Sequence, residues 1–204
     1  MKISFSFISL CIILLTLGSG CKGLKKSDDG GLLRYTSNDN LKTANISDFI
    51  DNDKTTIICV RHAEKQLGTK NPSLTLAGQQ RAQDLSDLFT NIKVDAIYSS
   101  DYNRTVETAQ ILSNQTRLPI QRYNPRELGE LKNRILNNHQ NEVVLVVGHS
   151  NSTPTFVNKL LSEDKYSSFD ESDYDNIFIV TVDSAGGIES VLLEYGAESA
   201  AVSY

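Results

Sequence analysis

The chain has 204 residues, room for one ordinary α/β domain and too few for two comfortable ones. Its composition is globular, 39% hydrophobic and 22% charged, with a formal net charge of −5. No basic run or aromatic–basic stripe is present, which argues against nucleic acid as a partner.

Lys2 opens an uncharged apolar stretch from Ile3 to Leu17, followed by Gly18-Ser19-Gly20 and Cys21. A positive start, an apolar core and small residues make the pattern of a secretory signal peptide. Cys21 behind those small residues resembles a bacterial lipoprotein cleavage site, with Gly18 standing where Leu is usual. Residues 1–21 are therefore expected to be a lipoprotein signal peptide. Cys21 would then be lipidated and would hold the chain on a membrane of the cell envelope, outside the cytoplasm. The other reading is an uncleaved anchor, since Ile3 to Cys21 barely spans a bilayer. Residues 22–54, rich in Lys, Ser, Asp, Asn and Gly, are expected to form a flexible tether. Cys11 leaves with the signal, and Cys59 reads as a small buried hydrophobe.

Residues 55–204 read as one α/β domain. Thr55 to Val60 is a β-branched run that predicts a buried strand. Thr75 caps a helix to about Asn91, on which Ala82, Leu85, Leu88 and Phe89 recur at helical spacing. A strand at 96–99 leads into a helix at 104–114. A short strand follows at 120–123. Pro125 to His139 reads as a helix with Pro in its first turn. A strand at 143–147 precedes a helix at 153–161. The runs 177–182 and 188–195 form a hairpin around Ser184-Ala185-Gly186-Gly187. His139 has no motif around it and is expected to be solvated.

Chemistry concentrates where strands end. The first strand closes on Arg61-His62-Ala63-Glu64-Lys65, and the strand 143–147 closes on Gly148-His149-Ser150-Asn151-Ser152. Between them lie Leu74-Thr75-Leu76-Ala77-Gly78-Gln79-Gln80-Arg81-Ala82 and Ser99-Ser100-Asp101-Tyr102-Asn103-Arg104-Thr105-Val106-Glu107-Thr108-Ala109. Open α/β sheets place their sites at the carboxyl ends of strands, so Arg61 and His62 suggest an anion site holding a nucleophile or a base.

These four stretches, in this order, resemble the histidine phosphatase superfamily, also called phosphoglycerate mutase-like. The resemblance runs from about Thr55 to Leu161, with sheet edges continuing to Tyr195. It implies a three-layer α/β/α fold on a mostly parallel central sheet. The interval from His62 to His149 is too short for a large helical lid. It implies a shallow, open site and resembles the short branch that includes protein phosphohistidine phosphatases.

On this resemblance His62 is the nucleophile, attacking phosphorus as a neutral imidazole to form a phosphohistidine. Arg61 and Arg104 form the phosphate clamp, because guanidinium forks match phosphate oxygens. His149 donates a further hydrogen bond, with Ser150 or Asn151 as another donor. Glu127 best matches the position of the general acid, and Glu130 stands behind it. Glu64 either orients His62, bonds Lys65 or acts as the acid, while Lys65 adds charge at the mouth. Ser150 replaces the Asp of the histidine acid phosphatases, which argues against that branch. The mechanism requires no cofactor, and no cluster has metal-site spacing. The expected partner is a phosphorylated small molecule or phosphoprotein. A phosphoglycerate-type mutase and a non-catalytic, phosphate-binding lipoprotein are the alternatives.

Overall fold

A computed structural model describes residues 32–37 and 40–199. The lipoprotein signal and Cys21 lie outside the described residues. Eight strands and four helices follow in chain order: β1 Leu33–Ser37, β2 Asn40–Ala44, β3 Thr55–Arg61, α1 Leu76–Leu88, β4 Ala96–Ser100, α2 Asn103–Thr116, β5 Ile120–Tyr123, α3 Leu128–Asn138, β6 Val143–Gly148, α4 Ser152–Leu161, β7 Asn176–Val182 and β8 Ile188–Glu194. The strands make one sheet in the order β2-β1-β8-β7-β3-β6-β4-β5.

The sheet divides in two. The neighbours β3, β6, β4 and β5 pair in parallel, while β7, β8, β1 and β2 pair antiparallel. The parallel strands need crossovers, which α1, α2 and α3 supply. Alternate residues of β3 and β6 serve opposite faces, as period two requires. Ile58, Val60, Leu145 and Val147 pack with Leu85, Leu88, Ala109 and Leu112 of α1 and α2. Ile57, Cys59, Val144 and Val146 pack with Leu131, Ile135, Phe156 and Val157 of α3 and α4. With both faces covered, these strands read as continuous apolar runs and not as alternations. Cys59 is a free, fully buried thiol, and burial pushes its pKa up.

Within the described residues, the expected tether carries structure instead. β1 adds to the sheet beside β8, and a 3₁₀ turn covers Ile46–Phe49. Leu33 and Ile46 are buried in the α1/α2-side core, with Tyr35, Phe49 and Ile50 packed against it. The polar composition of residues 22–54 hid these five apolar residues, whose burial needs the sheet edge and core of the rest of the chain. Composition alone averages over them. α3 also begins later than Pro125. Asn124 accepts from the Glu127 N–H at 3.0 Å, making a turn that delays the first helical residue to Leu128.

Candidate active site

The parallel half of the sheet brings the carboxyl ends of β3, β6 and β4 side by side. Arg61 pairs with Gly148, and Val147 with Ser99. His62 therefore follows β3 next to His149, which follows β6; their ring centroids are 5.5 Å apart. Arg104 stands in the first turn of α2, just beyond β4.

Two glycines permit this closeness. A Cβ on Gly78 would sit 2.2 Å from the Glu64 carbonyl oxygen, so only glycine lets α1 meet the loop after His62. A Cβ on Gly148 would lie 2.6 Å from the Thr153 hydroxyl. Thr75 caps α1 by accepting from the Gly78 N–H at 3.1 Å. Thr108 joins the loop to α2: its hydroxyl accepts from the Ala63 N–H at 3.0 Å and donates to the Arg104 carbonyl at 2.7 Å.

The tautomers of both histidines follow from their partners. His62 Nδ1 lies 2.8 Å from the Ala63 carbonyl, which can only accept, so Nδ1 carries the hydrogen and Nε2 keeps its lone pair. His149 Nδ1 faces Arg104 Nη2 at 3.3 Å, which can only donate. Its Nε2–H then donates to Ser100 Oγ at 2.8 Å, and Ser100 passes its own hydrogen to Thr105 Oγ1 at 3.0 Å. Burial is the main cause that lowers both pKa values, to about 3 for His62 and about 4 for His149, and nearby Arg61 and Arg104 add to it. Both imidazoles are neutral at physiological pH.

A cavity of about 540 Å³ opens on this pair, and His62, Lys65, Arg104, Arg126, His149, Ser150 and Asn151 stand in its wall. Arg104 stacks on the Tyr102 ring, 4.5 Å from its centroid, and its buried Nε has no partner. The Asn151 side-chain Oδ1 is engaged in accepting from the Ser152 N–H at 2.8 Å.

Three expected site residues stand elsewhere. Arg61 is 1% exposed and absent from the cavity wall. Its Nη1 donates to the carbonyls of Asp170 and Asp173, both at 2.7 Å, and its Nη2 to the Glu171 carbonyl at 3.1 Å. Glu64 turns away to Arg81, whose Nε and Nη2 reach Oε1 at 2.9 and 2.8 Å. Arg81 also donates to the carbonyls of Tyr195 and Ala197, so the pair ties the β3 loop to the end of β8. Glu127 is exposed at the N-cap of α3 and lines an adjoining cavity with Glu130, not the one on His62. Tyr102 and Pro125 belong to both walls.

The connection from α4 to β7 also contributes to the site, a part that its sequence does not announce. Ser168, Phe169 and Glu171 line the cavity, and the Tyr174 ring stacks on Arg61 at 4.1 Å. None of these four stands in a motif. The one sequence signal is the acidity of 163–175, which complements the charge of Arg61. His139 is not solvated: its Nδ1 meets Glu142 Oε2 at 2.6 Å and its Nε2 meets the Tyr98 hydroxyl at 2.8 Å.

Residues 57–130 match the family described as the histidine phosphatase superfamily (branch 1). That segment holds Arg61, His62 and Arg104, and His149 follows it just after the next parallel strand, β6. No curated protein matches the chain. Among solved structures, Bacillus stearothermophilus YhfR superposes with a TM-score of 0.57 at 19% identity, covering 68% of this chain and 96% of that one. The protein histidine phosphatase SixA complexed with tungstate gives 0.56 at 15% identity, covering 69% and 96%. Phosphoserine phosphatase from Entamoeba histolytica, in complex with 3-phosphoglyceric acid, gives 0.53 at 17% identity, covering 70% and 97%. At these identities the likeness is one of fold, a three-layer α/β/α arrangement.

Proposed function

We propose that the protein is a histidine phosphatase that hydrolyses phosphomonoesters or phosphoprotein through a phosphohistidine on His62. The observation that carries this reading is the tautomer of His62. A buried, neutral imidazole with Nδ1–H pinned to a carbonyl presents the Nε2 lone pair to the cavity. Its neutrality at pH 7 follows from the lowered pKa.

In the first step Nε2 forms an N–P bond as the P–O bond to the leaving group breaks. The leaving oxygen takes a proton from solvent, or from Glu127 where the leaving group reaches it. Water then attacks phosphorus and releases a proton to solvent, the N–P bond breaks, and its electron pair returns to Nε2. The transition state is loose, so charge stabilisation carries most of the catalysis. Arg104 supplies it through its unpartnered Nε and its Nη2, at the N-terminal turn of α2. His149 accepts from Arg104 in the free enzyme. As phosphate draws Arg104 toward itself, that imidazole gains a reason to protonate at Nδ1 and donate to a phosphoryl oxygen. Glu127 serves as the acid only for a leaving group that extends past Tyr102 into the adjoining cavity. The protein is placed on a cell-envelope membrane by a lipid on Cys21; labelling with a fatty acid should disappear in Cys21→Ser.

The test is a phosphoenzyme trap. The full-length protein in detergent is incubated with p-nitrophenyl phosphate and a phosphoester panel, and acid-labile phosphate is counted. Wild type should label and turn over, and His62→Ala should do neither. Label that survives His62→Ala removes His62 as nucleophile. Phosphate binding without turnover or label would establish the binding-lipoprotein alternative.

A further inference from the structure

Glu171 is the one carboxylate in the wall of the His62 cavity among the described residues. Its Oε2 lies 3.2 Å from Arg61 Nη2 and 3.8 Å from Lys65 Nζ. Its Oε1 accepts from the Ser150 hydroxyl at 2.7 Å. A side-chain anion thus sits on two cations and a hydroxyl that border the two histidines. These contacts, the Ser150 bond foremost, hold its pKa below the usual carboxylate range.

A structural role does not account for this carboxylate. Three backbone carbonyls already satisfy the Nη groups of the buried Arg61. Glu171 is also 71% exposed, where an ion pair stabilises a fold little. What it does occupy is the position that an incoming oxyanion needs in order to reach Arg61 and Ser150.

The segment 168–174 is built to let go in its middle. Phe169 is held by its N–H to the Ser150 carbonyl at 2.9 Å and by stacking on Phe178, 5.5 Å between centroids. At the other end Asp175 bonds Ser199 at 2.8 Å. Between these anchors, Asp170-Glu171-Ser172-Asp173 carries no apolar side chain and holds Arg61 through polar contacts, while the neighbouring Tyr174 ring stacks on Arg61.

We propose that Glu171 is a built-in competitor for the phosphoryl group, occupying the anion seat of Arg61, Lys65 and Ser150 until substrate displaces it together with residues 170–173. This rests on the phosphatase reading above. A phosphate dianion brings more charge and more acceptor oxygens than a carboxylate, so it displaces Glu171, whereas a monoanion is held off. Once displaced, the segment frees the Arg61 fork for phosphate. Glu171 thereby sets the threshold of charge that a ligand must carry to enter.

The experiment is calorimetric titration of inorganic phosphate at pH 8 into full-length wild type, Glu171→Gln and Glu163→Gln. Glu163 is exposed, on the same connection and away from the cavity, so its variant controls for net charge. Glu171→Gln should bind phosphate about three- to tenfold tighter, because the competent state is no longer a minor fraction. Glu163→Gln should match wild type. In turnover, Glu171→Gln should lower KM and leave kcat unchanged. Equal affinities in wild type and Glu171→Gln, or equal tightening in both variants, overturns the proposal and leaves the phosphatase reading intact. A fall in kcat that is larger for poor leaving groups makes Glu171 the acid and overturns it too. If no form binds phosphate or turns over, the phosphatase reading fails and the competitor with it.

Discussion

The floor and the roof of the cavity are built by different means. The floor comprises His62, His149 and Arg104, set by three adjacent parallel strands and the first turn of one helix. Its hydrogen bonds run mostly to backbone and hydroxyl groups close to those strand ends, and they leave Nε2 of His62 and Nε of Arg104 unspent. The roof, residues 168–174, commits carbonyls to Arg61, more than a hundred positions away, and further polar groups to Ser150 and Ser199. A preorganised floor suits charge stabilisation. A roof made of removable polar contacts suits admission.

The largest test of this division is Arg104→Ala. If the floor carries catalysis, kcat should drop by about 10²- to 10³-fold, as for loss of one charge-stabilising donor. A drop in stability with kcat unchanged would instead make Arg104 a fold residue. Acid is the next test. The unfolded chain protonates its histidines near pH 6.5, whereas the folded His62 resists to about pH 3 and His149 to about pH 4. The unfolded state then binds more protons, so stability is full above pH 6.5 and is lost as pH falls toward 4. His62 alone should contribute on the order of 3 kcal/mol to this loss by pH 4. Thermal melts of wild type and His62→Gln should diverge in slope over that range, and parallel slopes would contradict the neutral buried imidazole. A smaller effect is expected for Ser100→Ala, which removes the acceptor of His149 Nε2–H. Loss of one such bond should reduce kcat/KM by about tenfold, and NMR of the imidazole nitrogens should show mixed tautomers. Glu171→Gln moves the roof alone and has the smallest effect, a gain in affinity and not a loss.

Local pattern made the floor legible. The runs Thr55 to Val60 and Val143 to Val147 announce buried strands, and the histidines and arginine that close or follow strands stand out against them. Gly78 and Thr108 were visible as motif residues, although only the geometry gives their reasons: a close approach to Glu64 and a hydroxyl bridge from Ala63 to Arg104. Glu127 looked the best acid and Glu64 an alternative because a carboxylate near a motif has the right chemistry wherever it points. Their directions depend on Arg81 and on the turn at Asn124, which spacing does not encode.

The sequence by itself therefore determined the α/β succession, the strand ends that matter and the residue types of an anion pocket, since strand burial and helix capping are written in short windows. Tertiary structure alone decided that β1 completes the sheet, that Arg61 is enclosed, and that Glu171 sits among Arg61, Lys65 and Ser150. Those outcomes rest on contacts between segments far apart in the chain, where each segment's own composition says only that it is polar. The physical reason is that a charge or an apolar residue acquires its role from the partner that desolvates or neutralises it, and here that partner lies far away along the chain.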